Sequence, residues 1–356
     1  MVARTKSFRG LYFFLVVSFF SIASLSLSMT CSSPANAEQK TVRIMMDWII
    51  GSTHTPFLIA QDKGYFKDAG ITVSAIDPGK GATNVAVEVA SGTYQFGWVD
   101  LPSMIVFNAK NPAAPLIAVY ISFEQTPLAV FTRRQANVHK PADLDGKKIA
   151  GKPGTAGYDT ISILLKAAHA ENIKIDWQAL QPQLYAIMTK RGDIDGTAGF
   201  LNSNIPAAIE VGMKREDLNV LKYSDYGADL YGLALVTTRK FADENPDTVR
   251  GVVKAVNRGT IDALADPEAA LALLEKHDPM LKLPTERLRL QIANELTDPP
   301  FAQKNGLSAV TPEKLKFTID SVVDAYHIAA SPAPNTVFTD KFLPPKSERM
   351  PPNVQN

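Results

Sequence analysis

Two stretches of the chain read as the same succession of parts. Over residues 82–102 a helical segment ends at the turn Ser91-Gly92-Thr93-Tyr94, a short apolar run follows, and Asp100 stands where it can cap a helix opening at Leu101-Pro102. Over residues 183–206 a helical segment ends at Arg191-Gly192-Asp193, the run 194–200 follows, and Asn202-Ser203-Asn204 leads into a helix with Pro206 near its first turn. Strands that alternate with helices in this way bury their apolar runs in a sheet covered by those helices. A repeat of the unit predicts two α/β lobes, with helix amino ends converging on a cleft between them.

The first lobe opens on its most informative stretch. A run at 42–46 feeds a polar loop, Asp47 to His54 in the numbering, and a helix follows in which Thr55 is placed to cap, Pro56 suits the first turn and Gly64 can end it. Trp48, Ser52, Thr53 and His54 thus fall at the carboxyl end of a strand and the amino end of a helix, where open α/β sheets receive ligands. Residues 79–84, Gly79-Lys80-Gly81-Ala82-Thr83-Asn84, present small side chains and backbone amides at the next helix start, but lack the spacing of a phosphate loop. In the second lobe the strand 147–150 feeds the loop 151–157, which contains Gly154, Thr155 and Gly157, and residues 158–169 read as one helix.

Arg4, Lys6 and Arg9, the apolar run 11–27 and the small-x-small site Ala35-Asn36-Ala37 read as a signal peptide over 1–37, cleaved near Ala37. The expectation is export to the periplasm, with the mature chain starting near Glu38. The single cysteine, Cys31, lies upstream of that site, so the mature chain would hold no thiol for a disulfide, an iron–sulfur cluster or a nucleophile. The 37 basic and 36 acidic residues leave no field for nucleic acid, and the five His are scattered without zinc-site spacing. No metal, cofactor or nucleic-acid partner is expected.

After the run 232–237 the chain turns helical, with starts at Asn245-Pro246, Pro267-Glu268, Pro284-Thr285-Glu286 and Thr311-Pro312. Val249, Val252, Val253 and Val256 make an apolar face that must pack on a sheet. The expected division is therefore lobe 1 at 38–131 plus 239–356 and lobe 2 at 132–238, with the proline-rich tail from 331 wrapping the surface or disordered at its end.

These residues resemble the periplasmic solute-binding proteins of ABC importers, in the branch related to binding and synthesis of the thiamine-pyrimidine precursor. The resemblance rests on Asp47-Trp48 with His54-Thr55-Pro56, on Gln61-Asp62-Lys63-Gly64-Tyr65-Phe66-Lys67, on Asp143-Leu144-Asp145-Gly146-Lys147-Lys148-Ile149-Ala150, and on Gly192-Asp193-Ile194-Asp195 with Gly199-Phe200. Asn245-Pro246-Asp247-Thr248-Val249 and Asp266-Pro267-Glu268 extend it. It implies a type II, Venus-flytrap binding protein, a monomer that closes on one small-molecule ligand and hands it to a membrane permease driven by an ATPase. It also implies that the loops at 48–54, 79–84, 100–103, 154–158 and 200–204 line the cleft. Their candidate contacts are Trp48, Ser52, His54, Asn84 and Asp100 from lobe 1, with Gly154, Thr155, Tyr158, Asn202 and Asn204 from lobe 2.

Trp48, Tyr158 and Tyr226 offer flat faces for stacking, and Asn202, Asn204, Glu124 and Asp229 could bond a heterocycle's edge, so a pyrimidine leads among ligands. An alkanesulfonate, taurine or nitrate held at helix amino ends is the alternative. Fungal pyrimidine-precursor synthases are similar in fold and are enzymes, but they carry a cysteine-rich iron-binding stretch that this mature chain would lack. No Gly-x-Ser-x-Gly occurs, and a non-enzyme is expected. An extracellular sensor would use the same closure.

Overall fold

The computed structural model describes residues 40–352; the signal-peptide segment, Cys31 and residues 353–356 lie outside the described residues. Ten strands form two mixed sheets. In chain order they are β1 (Lys40–Met45), β2 (Ile71–Asp77), β3 (Phe96–Asp100), β4 (Leu116–Ile121), β5 (Leu128–Arg133), β6 (Lys148–Ala150), β7 (Asp176–Gln178), β8 (Gly196–Phe200), β9 (Leu218–Lys222) and β10 (Leu233–Thr238). The first sheet has the order β2-β1-β3-β10-β4 and the second β7-β6-β8-β5-β9. In each, three parallel strands are followed by one antiparallel partner of the third. The expected pair of α/β lobes is present.

The boundaries differ from the expected ones. β5 belongs to the second sheet and β10 to the first, so the chain leaves lobe 1 after Ile121 and re-enters it before Leu233. Those two strands read alike as apolar runs, and only their partners assign them. The crossing segments bond one another: Ser122 N–H donates to the Leu233 carbonyl at 2.8 Å and Gly232 N–H to the Phe123 carbonyl at 2.9 Å.

β3, β4 and most of β10 are buried, as strands covered on both faces must be. The helix Pro246–Ala265 supplies part of the cover through Val249, Val252, Val253 and Val256, all buried. The tail wraps as expected: Thr339 N–H donates to the Ala118 carbonyl at 3.1 Å, and Phe338 and Phe342 are buried, so the edge at β4 is covered.

Three local expectations change. Thr55 does not cap its helix; a 3-10 turn at Ser52–His54 precedes it, and the Thr55 hydroxyl donates to the Ser52 carbonyl at 2.8 Å. The helix expected over 158–169 is broken into Ala156–Asp159 and Ile161–Ala167 at Thr160, whose backbone (φ −118°, ψ 0°) leaves the helical region while its hydroxyl donates to the Ala156 carbonyl at 2.6 Å. Asn202 does not precede its helix but lies inside Leu201–Glu210, which puts Pro206 in the helix interior.

That proline matters to the assembly. Lacking an N–H, Pro206 leaves the carbonyl four residues back, that of Asn202, without its helical donor. The guanidinium of Arg289 supplies one instead, Nη1 to the Asn202 oxygen at 3.0 Å. Arg289 stands on the helix Leu283–Thr297, which packs against both the Ser52 turn of lobe 1 and the helix Leu201–Glu210 of lobe 2. This C-terminal helix bridges the lobes rather than only completing the first.

Candidate ligand site between the lobes

A cavity of about 470 Å³ lies between the lobes, within the range of small-molecule sites. Lobe 1 contributes Asp47, Trp48, Gly51, Gly81 and Asp100; lobe 2 contributes Thr155, Gly157, Gly199, Ser203 and Asn204; the bridging helix contributes Glu286 and Arg289.

Asp100 is the most constrained polar group there. It ends β3 and caps the helix Leu101–Lys110, its Oδ2 accepting from Ser103 N–H at 3.0 Å. Its Oδ1 has no partner among the described residues, although the side chain is 1% exposed. Burial pushes its carboxyl up to about 7, against the pull of the Ser103 amide, and the nearby Asp159 and Asp47 carboxylates add to the rise. An unpaired acceptor at such a place is costly, by about 1–3 kcal/mol, unless a ligand or proton satisfies it.

The loop at 47–54 is braced from within and from outside the lobe. His54 is buried; its Nδ1 accepts from Gly51 N–H at 3.1 Å, which leaves Nε2 to donate to Asp47 Oδ1 at 2.8 Å. Ser52 donates through its N–H to Glu286 Oε2 at 2.7 Å and through its hydroxyl to the Glu286 carbonyl at 2.8 Å. His54 and Ser52 therefore hold the loop, and neither lines the cavity. Trp48, half-buried, does line it.

In lobe 2, Thr155 and Asn204 line the cavity; Gly154 bonds its N–H to Asp159 Oδ1 at 3.1 Å and lends its carbonyl to Thr83 N–H across the cleft at 3.3 Å. Asn202 is buried and donates across the cleft to Thr53 Oγ1 at 3.0 Å. Asn84 accepts from Lys80 N–H at 3.1 Å and fixes its own loop. Thr83 Oγ1 donates to Asp159 Oδ2 at 2.9 Å, and Lys282 pairs with Glu210 at 2.8 Å, so the lobes are joined on several sides.

Besides Ser52, His54, Asn84, Gly154 and Asn202, which lie around the cavity without lining it, four expected contacts are engaged elsewhere. Tyr158 packs on Trp177, ring centroids 4.8 Å apart. Tyr226 sits in a 3-10 turn with its hydroxyl 3.4 Å from the His139 carbonyl. Glu124 and Asp229 share Lys314, at 2.9 and 3.0 Å. Conversely, Glu286, Arg289 and Tyr185 line the cavity without having been singled out. Glu286 and Arg289 are joined at 3.1 Å.

Among the described residues no group of three or more His, Cys, Asp or Glu side chains could hold a metal ion, and no helix is long and apolar enough to cross a membrane. Two relatives and one solved structure place the chain among known proteins. It is 24% identical over 324 residues to the formylaminopyrimidine-binding protein of Halalkalibacterium halodurans, covering 89% of this chain and 94% of the relative. It is 24% identical over 258 residues to a 4-amino-5-hydroxymethyl-2-methylpyrimidine phosphate synthase of Aspergillus parasiticus, covering 69% and 73%. The periplasmic aliphatic sulphonate binding protein SsuA of Escherichia coli superposes with a TM-score of 0.62 at 17% identity, over 87% of this chain and 92% of that one, which identifies the fold as that of the two-lobed periplasmic binding proteins. The family model described as NMT1/THI5 like matches residues 52–270, and the chain belongs to that family.

Proposed function

We propose that this chain is the solute-binding component of an ABC importer, closing its lobes on a small aromatic heterocycle of the pyrimidine class and presenting the closed form to a membrane permease and its ATPase. In this reading the chain is an exported monomer, and its lobes hinge at the two crossing segments, residues 122–127 and 223–232.

The observation that carries the reading is the free oxygen of Asp100, buried at the cavity wall near Trp48's loop. An aminopyrimidine edge alternates exocyclic N–H donors with ring-nitrogen acceptors. A carboxyl near its midpoint at neutral pH meets either: ionised, Oδ1 accepts from the amino group; protonated, it donates to the ring nitrogen. A sulfonate or nitrate offers acceptors only and is repelled by the ionised form. Among the described residues the one guanidinium lining the cavity, that of Arg289, is committed to Glu286 and to the Asn202 carbonyl. Trp48 supplies a face for the ring, a contact worth about 0.5–1.5 kcal/mol beyond burial. The pyrimidine-binding relative supports the same class.

The synthase relative supports a second reading, an enzyme acting on a pyrimidine. Both are tested on the purified chain from Glu38 onward. Thermal unfolding is followed with 4-amino-2-methylpyrimidines, alkanesulfonates and nitrate, each raised toward saturation; a ligand at about a hundred times its Kd stabilises by about 2.7 kcal/mol. The expected result is stabilisation by the aminopyrimidines, with the compound recovered unchanged by mass spectrometry. Stabilisation by sulfonates or nitrate alone would overturn the ligand class, and recovery of a converted pyrimidine would favour the enzyme. Loss of labelled aminopyrimidine uptake on deleting the gene tests the importer role.

A further inference from the structure

The cavity does not stop at the cleft. Its lining runs on from Asn204 into lobe 2, between two helices that present matching faces. On Leu201–Glu210 and the residue after it, Asn204, Ala207, Ala208 and Val211 fall at i, i+3, i+4 and i+7; ahead of and along Tyr185–Arg191, Pro182, Tyr185, Ala186 and Thr189 repeat that spacing. Faces at this spacing ordinarily close on each other with large apolar side chains. Here the inward positions are mostly small, and the space is left open.

The packing around it agrees. Ala208, Met213 and Leu218 form an apolar cluster of their own, separate from the main core that includes Phe131. Both Phe131 and Leu218 line the cavity, so the cavity lies between the two clusters. Its two ends differ in chemistry. At one, the buried Asp100 holds an unpartnered oxygen; at the other Phe131, Ala208, Val211 and Leu218 form the walls beside Thr189, whose hydroxyl is bonded to the Tyr185 carbonyl, and Glu210, which is paired with Lys282, while the buried Tyr185 hydroxyl also lacks a partner among the described residues. Walls that enclose an empty apolar space forgo the dispersion contacts that a filled one makes.

We propose that the ligand has two parts: a polar ring held between the lobes at Asp100 and Asn204, and an apolar substituent that enters the lobe 2 chamber walled by Tyr185, Ala208 and Leu218. The proposal rests on the heterocycle reading for the ring alone; the chamber's preference for an apolar group stands on its own walls.

The test uses 4-aminopyrimidines carrying hydrogen, n-propyl or n-hexyl at ring position 5, n-alkanesulfonates of matching chain length, and toluene as a probe without a polar head. Affinity is read by calorimetry and the contact by methyl NMR of the full mature chain. For whichever head binds, affinity is expected to tighten about three- to fourfold per methylene while the chamber fills. In Ala208→Leu, which occupies the chamber, that gain per methylene disappears. Toluene is expected to shift the methyl resonances of Ala208, Val211 and Leu218.

Chain-length dependence with sulfonates but not aminopyrimidines would keep the chamber and overturn the heterocycle. Aminopyrimidine binding with no chain-length dependence would overturn the chamber and keep the heterocycle. Absence of toluene shifts at those methyls in the wild-type protein overturns the chamber whether or not either head binds and whether or not Ala208→Leu folds.

Discussion

Asp100 in lobe 1 and Phe200 in lobe 2 occupy the same place. Each ends the third parallel strand of its sheet, faces the first residue of the antiparallel partner, Leu233 or Leu128, and begins the next helix. Even the following backbone bonds match: Leu101 N–H to the Gly232 carbonyl at 3.0 Å, and Leu201 N–H to the Pro127 carbonyl at 2.8 Å. The residues then part company. Asp100 closes its own helix end and keeps one buried oxygen unpartnered beside the cavity, whereas Phe200 leaves its helix end without a side-chain cap and gives the cavity an apolar wall. The frame is repeated, and the division into a polar wall and an apolar one comes from single side chains set at equivalent points of it.

The sharpest way to test that division is pH. In the folded chain Asp100 stands at about 7, above its unfolded value of 3.8. Between those values the folded state keeps a proton that the unfolded state has released, so its contribution to stability is full below about pH 4 and is lost as pH rises to about 7. The slope from this group reaches about 1.4 kcal/mol per pH unit at most. Asn caps a helix as well as Asp does and does not titrate, so Asp100→Asn is expected to flatten stability across that window. Phe200→Leu is expected to leave the slope as in the wild type. Denaturant melts of the three proteins between pH 4 and pH 8 check it, and equal slopes in the wild type and Asp100→Asn would remove the carboxyl from the argument.

The two cleft loops are braced differently as well. The loop at 47–54 leans on Glu286, far along the chain, while the loop at 151–155 leans on Asp159 of its own lobe. Glu286→Ala strands the Ser52 amide and a partly buried Arg289 and is expected to destabilise by about 3 kcal/mol. Asp159→Ala removes bonds from a more open site and is expected to cost about 1 kcal/mol. Denaturant midpoints rank the two, and equal costs would mean that the bridging helix does not hold the first loop.

These braces mark where the sequence stops being readable. The repeated strand, turn and cap pattern fixes two α/β lobes, and Asp100 is legible as a cap from the Asp-Leu-Pro-Ser order alone. Trp48, Thr155 and Asn204 are legible as cavity residues because loops after parallel strands point there. Glu286 and Arg289 are not, since their partners lie far away in sequence and a Glu in the first turn of a helix reads as a dipole complement. The tyrosines misled for the same reason: an aromatic face is equally suited to Trp177 as to a ligand, and only the fold decides. The i, i+4 link from Pro206 to the Asn202 carbonyl was available in the sequence, but it acquires meaning only once the helix is known to start before Asn202.

The smallest expected effect separates two glycines that touch across the cleft. Gly81 and Gly154 both have positive φ, +118° and +94°, so alanine at either costs on the order of 1 kcal/mol in backbone strain. Their surroundings differ. A Cβ on Gly81 would lie 2.5 Å from the Gly154 carbonyl oxygen, backbone against backbone, while a Cβ on Gly154 would find Thr83 at an ordinary 3.8 Å. Gly81→Ala is therefore expected to hold the lobes apart and Gly154→Ala to let them meet, although the two lose similar stability. The distance between spin labels placed on Ser91 and Lys214, exposed residues of lobe 1 and lobe 2, reads this directly. A wider separation in Gly81→Ala alone identifies the Gly81–Gly154 contact as the point where closure is decided. Equal separations in both variants would assign closure to the Thr53–Asn202 and Arg289–Asn202 bonds instead.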